Sequence, residues 1–359
     1  MIPFYTKNSN ITTSSISSQI FKITPIKSVF DQSEFFPFIN RLFGHRNCDA
    51  TKWKSPLIEK YGVAITLTVD QKGCGKFNSV QKAVDAVPDN ALKPTLIILD
   101  AGTYREKVNV EKTKSNLIIQ GQGYGNTFIV WGDTAKTSNG TVYSYSVGVF
   151  AKNFIAHDVS FKNTAPYPSP STRDAQAVAL RIAGDQAAFY SCGFYGFQDT
   201  LLADAGRHYF KNCFIEGTTD FIFGNGRSLF ENCTINSVAS GSGAVAAQKR
   251  ESLQEKTGFS FLNCKIVGKG NIFLGRAWGA YSTTVYIKTT MDAIIAPEGW
   301  NDMGNSTRDQ IVFFGEYACS GLGANFNGRV KYARQLSATD AAPYMSIAYI
   351  DGKEWLREL

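Results

Sequence analysis

Hydrophobic and polar residues alternate in short segments along much of the chain. Residues 153–161, with the sequence NFIAHDVSF, are typical, and Gly and Asn residues separate such segments from one another. Alternation with a period of two, in segments rich in Phe, Val, Ile and Thr, predicts half-buried β-strands. No amphipathic helix of ten or more residues lies between these segments, so the pattern does not favour alternating strands and crossover helices.

A pattern of Phe followed three residues later by Cys recurs through the middle of the chain. It occurs at 189–192, 210–213, 230–233 and 261–264, and residues 161–163 form a weaker copy without the cysteine. Repeats at about 20 residues with insertions of variable length indicate a solenoid, in which each repeat adds one coil. The LxxLxLxxN motif of the competing leucine-rich repeat is absent from the sequence. We therefore predict an all-β fold, a right-handed parallel β-helix.

One short helix is predicted near the start of this region, where apolar residues recur with spacings of three, four and three. Asn78 or Ser79 would be its N-cap, and Pro88 lies just beyond its end. An amphipathic helix here would cap the first coil, which otherwise leaves the core uncovered. The apolar positions are Phe77, Val80, Val84 and Val87.

The first 60 residues show no sustained periodicity, so we expect 1–60 to be a poorly structured leader or arm and 61–359 to be the β-helix domain. Residues 1–20 lack the apolar segment of a signal peptide, roughly 7–15 residues long. Glycosylation sequons, which favour secretion, begin at Asn10, Asn139, Asn232 and Asn305. Asn232 lies inside a predicted coil, and we expect no glycan there.

The charge of the chain suits an acidic partner. It carries 37 Lys and Arg against 30 Asp and Glu, a formal charge of +7, which would attract nucleic acid, an anionic membrane or an acidic polysaccharide. Nucleic acid is the least favoured because there is no run of five or six basic residues. The apolar runs are far shorter than the ~20 residues that span a bilayer. Three histidines and no CxxC pair offer little material for a metal centre or a Ser-His-Asp triad.

Two aspartates stand out because they are separated by one predicted coil. Asp199 and Asp220 are 21 residues apart, and equivalent positions on adjacent coils stack at the strand spacing of about 4.8 Å. Two adjacent carboxylates cannot both ionise cheaply, so one should keep a raised pKa and serve as an acid. Gln198, and Gln176 about one coil before it, would add amide donors for an oxyanion. The alternative is a pair of solvated aspartates in turns, for which the nearby aromatic residues are unexpected: Tyr195, Phe197, Phe221 and Phe223.

At these residues the sequence closely resembles the plant-type pectinesterases (pectin methylesterases). The matching blocks are GTYRE at 102–106, QAVAL at 176–180, YGFQDTL at 195–201, DFIFG at 220–224 and LGRAW at 274–278. They occur in the order found in the family, and the resemblance extends over about 63–355. It implies the same right-handed parallel β-helix, and an enzyme that hydrolyses the methyl esters of galacturonate units in pectin, releasing methanol.

The resemblance also implies a role for each polar residue of the site. Asp220 would be the nucleophile, and Asp199 would protonate the leaving methanol and then activate water. Gln176 and Gln198 would hold the oxyanion, and Arg276 would hydrogen-bond Asp220 and keep it ionised. No metal or cofactor is expected.

Further residues are implied to contact the substrate, in addition to Gln176 and Arg276. Trp278 would stack on a sugar ring, with Phe223 as a weaker candidate for the same task. Ser146 falls where many members carry a substrate-contacting threonine, and Tyr143 is nearby. The implied partner is methyl-esterified pectin, with a proteinaceous pectinesterase inhibitor as a further candidate. We expect a monomer that is secreted to the cell wall and binds neither nucleic acid nor membrane.

Three alternatives stay open at this point. The chain could be another pectin-degrading β-helix enzyme, a polygalacturonase or a pectate lyase, although it has no Asp-Asp pair. It could also bind pectin without cleaving esters.

The third alternative concerns the cysteines. Cys192 and Cys213 on adjacent coils would lie within the Cα separation of a disulfide. They would instead be reduced if Cys192, Cys213, Cys233 and Cys264 pack as a ladder of small apolar residues.

Overall fold

Parallel strands wind into a right-handed β-helix in the computed structural model, which describes residues 48–169 and 171–357. This confirms the predicted fold class. The β-helix has three faces, here called A, B and C, and every strand pair within a face is parallel. Face A is built from eleven strands: β1 (Ile65–Val69), β2 (Thr95–Leu99), β5 (Leu117–Gln120), β8 (Ile155–His157), β11 (Ala187–Tyr190), β14 (Arg207–Lys211), β17 (Arg227–Glu231), β19 (Gly258–Leu262), β21 (Thr283–Ile287), β24 (Phe313–Tyr317) and β25 (Ala333–Gln335).

Faces B and C are joined because two long strands, β18 (Thr234–Gln248) and β20 (Lys265–Ala277), run across both of them. The other strands of face B are β3 (Gly102–Arg105), β6 (Thr127–Trp131), β9 (Ser160–Asn163), β12 (Gly193–Tyr195), β15 (Phe214–Gly217) and β22 (Thr290–Met291). Those of face C are β4 (Val108–Val110), β7 (Val147–Val149), β10 (Leu180–Ile182), β13 (Leu201–Ala203), β16 (Ile222–Gly224) and β23 (Trp300–Asn301).

Helices are short and lie outside the coil. The α-helices are α1 (Leu57–Tyr61), α2 (Val80–Asp85), α3 (Ala135–Ser138) and α4 (Ala338–Ala341), and the 3₁₀ turns are Ala50–Trp53, Thr141–Tyr143, Ser306–Arg308, Leu322–Ala324, Phe326–Gly328, Ala342–Tyr344, Ile347–Ile350 and Gly352–Glu354. Within the described part of the chain, no helix is both long enough and apolar enough to cross a membrane.

Stacked aromatic rings fill the core behind face A. Phe189, Phe210, Phe230 and Phe261 lie on successive strands of this face, with ring centroids 4.8, 4.6 and 4.6 Å apart. Tyr286 continues the stack at 4.5 Å, which the Phe-x-x-Cys pattern did not reveal. Each ring is fully buried, so the repeat in the sequence is the signature of this stack.

The weaker copy at 161–163 is not equivalent to the other four segments, which lie on face A. Phe161 lies on face B, where it pairs with Phe194 and stacks on it at 5.5 Å. The partner of Phe189 in the preceding coil is Ala156. A long insertion separates these two coils, and the spacing of 28 residues between the phenylalanines therefore does not measure one coil.

The cysteines of the repeat are free thiols, which corrects the possible disulfide between Cys192 and Cys213. They form the reduced ladder with Cys233 and Cys264, all buried in the core. The thiol of Cys213 lies 3.4 Å from the carbonyl oxygen of Phe189, and those of Cys233 and Cys264 contact the equivalent carbonyls of Phe210 and Phe230. These three thiols therefore contact the backbone of the neighbouring coil, whereas the Cys192 thiol contacts the Tyr190 carbonyl of its own coil.

The disulfide that does form joins Cys48 to Cys74, a pair that no repeat or motif in the sequence indicates. It ties the segment before β1 to the first coil, where the Lys52 ammonium also bridges Asp70 and Asp100 at 3.1 and 2.6 Å. Residues 48–60, which we assigned to the arm, are therefore part of the compact unit that starts at Cys48. The rest of the predicted arm, and the sequon at Asn10, lie outside the described residues.

The predicted capping helix is confirmed as α2. Ser79 is its N-cap and accepts a hydrogen bond from the Lys82 amide, while the Glu106 carboxylate accepts from the amides of Val80 and Gln81 at the same end. These bonds satisfy amides that have no partner within the helix. The apolar side of α2 is buried in the core at the end of the coil: Val80, Ala83, Val84 and Val87.

Replacing Phe210 by alanine should lower the free energy of unfolding by about 3–5 kcal/mol, because it removes a fully buried ring from the middle of the stack. Urea denaturation of the purified protein measures this. Leu92→Ala is the control, since Leu92 is 97% exposed and its loss should change stability by less than about 0.5 kcal/mol. A loss below about 1 kcal/mol for Phe210→Ala would show that the stack does not stabilise the coil.

Peptide mapping without reduction should find a single crosslink, between Cys48 and Cys74. Alkylation of the native protein should modify Cys319 first, because it is the one free cysteine that is not fully buried. The four cysteines of the ladder should react only after unfolding. A crosslink between Cys192 and Cys213 would contradict the structure.

Candidate active site

A cleft of about 450 Å³ opens on face C. It lies along the edge of this face at which the chain arrives from face B. Seven of its lining residues were singled out in the sequence, and four were not. No group of three or more His, Cys, Asp or Glu side chains in residues 48–169 and 171–357 is arranged to hold a metal ion. The lining residues are Thr141, Val142, Gln176, Gln198, Asp199, Asp220, Phe223, Ala247, Arg276, Trp278 and Met303.

The backbone places Asp199 and Asp220 at equivalent positions of adjacent coils. Each lies two residues before a strand of face C, and Leu201 pairs with Ile222 in the next coil. The Asp199 amide donates to the carbonyl of Thr219 at 3.1 Å, which joins the two turns. Both aspartates adopt left-handed backbone angles, with φ of 65° and 50°, a conformation that Asp tolerates better than most residues. The offset of 21 residues therefore brings the two carboxylates together, as the sequence predicted.

Arg276 reaches Asp220 across one intervening coil. Phe223, close to Asp220, pairs with Ala247, and Ala247 in turn pairs with Arg276. Because the alanine between them is small, the guanidinium can pass over it, and Nη2 donates to Asp220 Oδ2 at 2.7 Å. The other oxygen, Oδ1, is buried and has no hydrogen-bond partner in the described chain. One carboxylate oxygen is thus held while the other stays available for chemistry.

The two carboxyl groups differ in protonation because their surroundings differ. Burial raises the pKa of Asp199 well above its ordinary value, and the negative charge of Asp220 raises it further, while Arg276 acts in the opposite direction. Burial also raises the pKa of Asp220, to about 6, but the charge and hydrogen bond of Arg276 limit the increase. Of the two carboxyl groups, Asp199 therefore holds its proton more strongly, and Asp220 is the one that ionises more readily.

The two glutamines line the cleft beside the carboxyl pair. The Ala177 amide donates to the carbonyl of Gln198 at 3.1 Å, so the turns that carry Gln176 and Gln198 are joined directly. The Gln176 carbonyl also accepts from the amide of Ala135 at 2.7 Å, which fixes its backbone against α3. Both side-chain amides can therefore offer N–H donors to one ligand in the cleft.

Aromatic rings form the other wall of the cleft. Trp278 follows the end of β20, and its ring lies 6.0 Å from that of Phe223 with an angle of 42° between the planes. The next residue, Gly279, lets two coils approach closely, since a Cβ there would lie 2.6 Å from the carbonyl carbon of Lys249. Large apolar rings beside polar donors are typical of sites that bind a sugar.

Two predicted substrate contacts are not brought into the cleft. The hydroxyl of Ser146 is buried, accepts from the Trp131 amide and donates to the Lys162 carbonyl at 2.8 Å. It therefore belongs to the packing between faces and does not face a ligand. Tyr143 is exposed outside the lining of the cleft, and its carbonyl accepts from the Lys107 ammonium.

Four lining residues were missed: Thr141 and Val142 from the 3₁₀ turn before β7, Ala247 on β18, and Met303 in the loop after β23. Tyr143 and Ser146 were the predicted substrate contacts in this segment. The residues that line the cleft there are instead Thr141 and Val142, which come slightly earlier in the chain. In the sequence, the only signal at Thr141 is that it is the third residue of the sequon at Asn139. Met303 has no local signal, because its loop reaches the cleft only through the tertiary fold.

Comparison with known proteins identifies the family. The family model described as Pectinesterase matches residues 66–353. The chain is 51% identical over 297 residues to "Putative pectinesterase 14" of Arabidopsis thaliana, which covers 82% of this chain and 89% of the relative.

Solved structures agree with this result. A pectin methylesterase from carrot superimposes with a TM-score of 0.77 and 32% identity, covering 81% of this chain and 94% of the carrot chain. A pectin methylesterase in complex with a hexasaccharide gives a TM-score of 0.69 and 27% identity, covering 82% of this chain and 98% of the other. A matching model over most of the chain and a relative that shares half of the aligned residues lead to one conclusion: the chain belongs to the pectinesterase family.

Proposed function

We propose that this protein hydrolyses the methyl esters of galacturonate units in pectin, with Asp220 as the nucleophile and Asp199 as the acid and base. The observation that carries this assignment is the carboxyl pair with unequal protonation, in which Arg276 holds one oxygen of Asp220 and leaves the other free. An ionised and a protonated carboxyl side by side supply a nucleophile and a proton donor without further groups.

In the first step, Asp220 Oδ1 attacks the C6 carbonyl carbon of the ester. The carbonyl oxygen becomes negatively charged, and the side-chain amides of Gln176 and Gln198 stabilise this charge. When the tetrahedral intermediate collapses, the bond from C6 to the methoxy oxygen breaks and Asp199 donates its proton to that oxygen. Methanol leaves, and the C6 acyl group stays bound to Asp220.

In the second step, the now ionised Asp199 takes a proton from a water molecule, whose oxygen attacks C6. The bond between C6 and Asp220 breaks, so the uronate carboxyl group is released and both aspartates return to their starting states. Arg276 stabilises Asp220 as an anion at the beginning and end of this cycle. Trp278 and Phe223 would hold the sugar ring while the ester lies over the carboxyl pair.

A pectin-binding protein without esterase activity is the main alternative. Such a protein would have no need for a buried pair of carboxyl groups with raised pKa values, whose burial costs free energy in the absence of a ligand. The polygalacturonase and lyase alternatives find no support in the comparisons, since the relatives and the solved structures described above are named pectinesterases or pectin methylesterases.

We further propose that the protein works in the cell wall after secretion. The Cys48–Cys74 disulfide suits an oxidising compartment, and the sequon asparagines Asn139 and Asn305 are exposed. Asn232 is also exposed, in a turn between two strands, and the absence of a glycan there stays a prediction. Esterified pectin is the proposed partner, while the monomeric state and a proteinaceous inhibitor remain predictions from the family resemblance.

Asp220→Ala should lower methanol release from esterified pectin by about 10³-fold or more, because it removes the nucleophile. Arg276→Ala should lower it by about 10²-fold, since Asp220 is then neither held nor kept ionised. Asp292→Asn, an exposed aspartate outside the cleft, is the matched control and should retain full activity. Normal circular dichroism would establish that each variant is folded, and full activity of folded Asp220→Ala would contradict the mechanism.

The pH profile of kcat/KM should rise through about pH 6, because Asp220 must lose its proton to act as a nucleophile. It should fall at higher pH, where Asp199 loses the proton that it donates. Arg276 lowers the pKa of Asp220, so Arg276→Ala should move the rising limb to higher pH. The residual methanol release of this variant, measured against pH, tests the sign, and a shift to lower pH would contradict it.

A further inference from the structure

Lys249 lies at the edge of the cleft and has no part in the mechanism above. It follows the end of β18, and its amide donates to the Gly224 carbonyl at 2.9 Å. On the other side, the Gly279 amide donates to the carbonyl of Gln248 at 3.1 Å. The residue is therefore fixed between the coil that carries Asp220 and the coil that carries Trp278.

The side chain of Lys249 extends over Trp278. Its Nζ atom lies 4.8 Å from the centroid of the indole ring, within the range of a cation–π interaction. Trp278 lines the cleft, and so does Ala247, two residues before Lys249. The ammonium group is thus held over a ring that lines the cleft, at the rim of the site.

The charge of Lys249 is not neutralised by the protein. Arg276 is paired with Asp220, and burial raises the pKa of Asp199, which favours its uncharged form. In residues 48–169 and 171–357, no Asp or Glu side chain forms an ion pair with Lys249, whose interaction partner is the Trp278 ring. A partly buried cation without an acidic partner, at the rim of a cleft, is suited to bind an anionic group of the ligand.

We propose that Lys249 binds the free carboxylate of a galacturonate unit next to the one whose ester is hydrolysed, so that the enzyme prefers chains that are already partly de-esterified. This inference rests on the proposed function. A methyl ester at the same unit is neutral and offers only a carbonyl acceptor, whereas a carboxylate gains a charge-assisted hydrogen bond. Because each turnover creates such a carboxylate, the product of one reaction would improve the neighbouring site for the next.

The test compares two oligogalacturonates of equal length, one fully methyl-esterified and one in which esters and free carboxylates alternate. For the wild type, kcat/KM for methanol release per ester should be higher on the alternating substrate. Lys249→Gln should reduce the ratio of the two kcat/KM values by about three- to tenfold, the size expected for one partly exposed ion pair. Lys249→Arg, which keeps the charge, should retain the preference.

Lys162→Gln is the matched control, because it removes the same charge from an exposed lysine on face B. Its ratio should equal that of the wild type. Raising NaCl from about 0.05 to 0.5 M should reduce the preference of the wild type but leave Lys249→Gln nearly unchanged.

Equal ratios for the wild type and Lys249→Gln would overturn the role of Lys249 and leave the proposed function intact. Equal losses in Lys249→Gln and Lys162→Gln would also overturn it, since the preference would then come from the overall charge. Failure of the wild type to release methanol from either substrate would overturn both this inference and the proposed function.

Discussion

Parallel stacking of successive coils at the strand spacing of about 4.8 Å is the constraint on which the rest of this structure depends. The stack of buried rings from Phe189 to Tyr286 holds these coils in register. Side chains at equivalent positions of adjacent coils must then lie side by side. This rule places rings on rings and thiols beside thiols, and it places Asp199 beside Asp220. The same geometry that fills the core therefore assembles the candidate active site.

Placing two carboxyl groups side by side in a buried site costs free energy. The surrounding residues decide which of the two keeps its proton. The proton stays on Asp199, which has no cationic hydrogen-bond partner in the described chain, while the Arg276 guanidinium keeps Asp220 closer to ionisation. Ala247 lies on the coil between them, and its small side chain leaves room for the Arg276 guanidinium. The difference between two chemically identical side chains thus arises largely from the charge and the hydrogen bond of one arginine, and it suits them to the separate roles proposed above.

The coil and its loops contribute in different ways to the cleft. Strand ends of the regular coil position the groups to which we assign proton transfer and bond formation, where small displacements would be costly for catalysis. Residues outside the regular coil, such as Thr141 and Met303, complete the walls. Lys249 combines both features. Its backbone is held at the end of a strand, and its ammonium group lies over the Trp278 ring at the rim of the cleft. Under the role proposed for Lys249, a substitution at such a position would change substrate preference and leave the carboxyl pair unchanged.

The sequence by itself determined the fold class, the capping helix and the pairing of Asp199 with Asp220. These features depend on local periodicity or on spacings within one uninterrupted coil, and both can be counted along the chain. Only the tertiary structure decided which face Phe161 belongs to, which cysteines form a disulfide, and which side chains of the segment around Ser146 reach the cleft. An insertion of unknown path breaks the count between coils, and a shift of one residue turns a side chain to the opposite face of its strand. Contacts that cross such an insertion, like those of Cys48 and Met303, leave no trace in the local pattern, because they are set by where the chain returns in space.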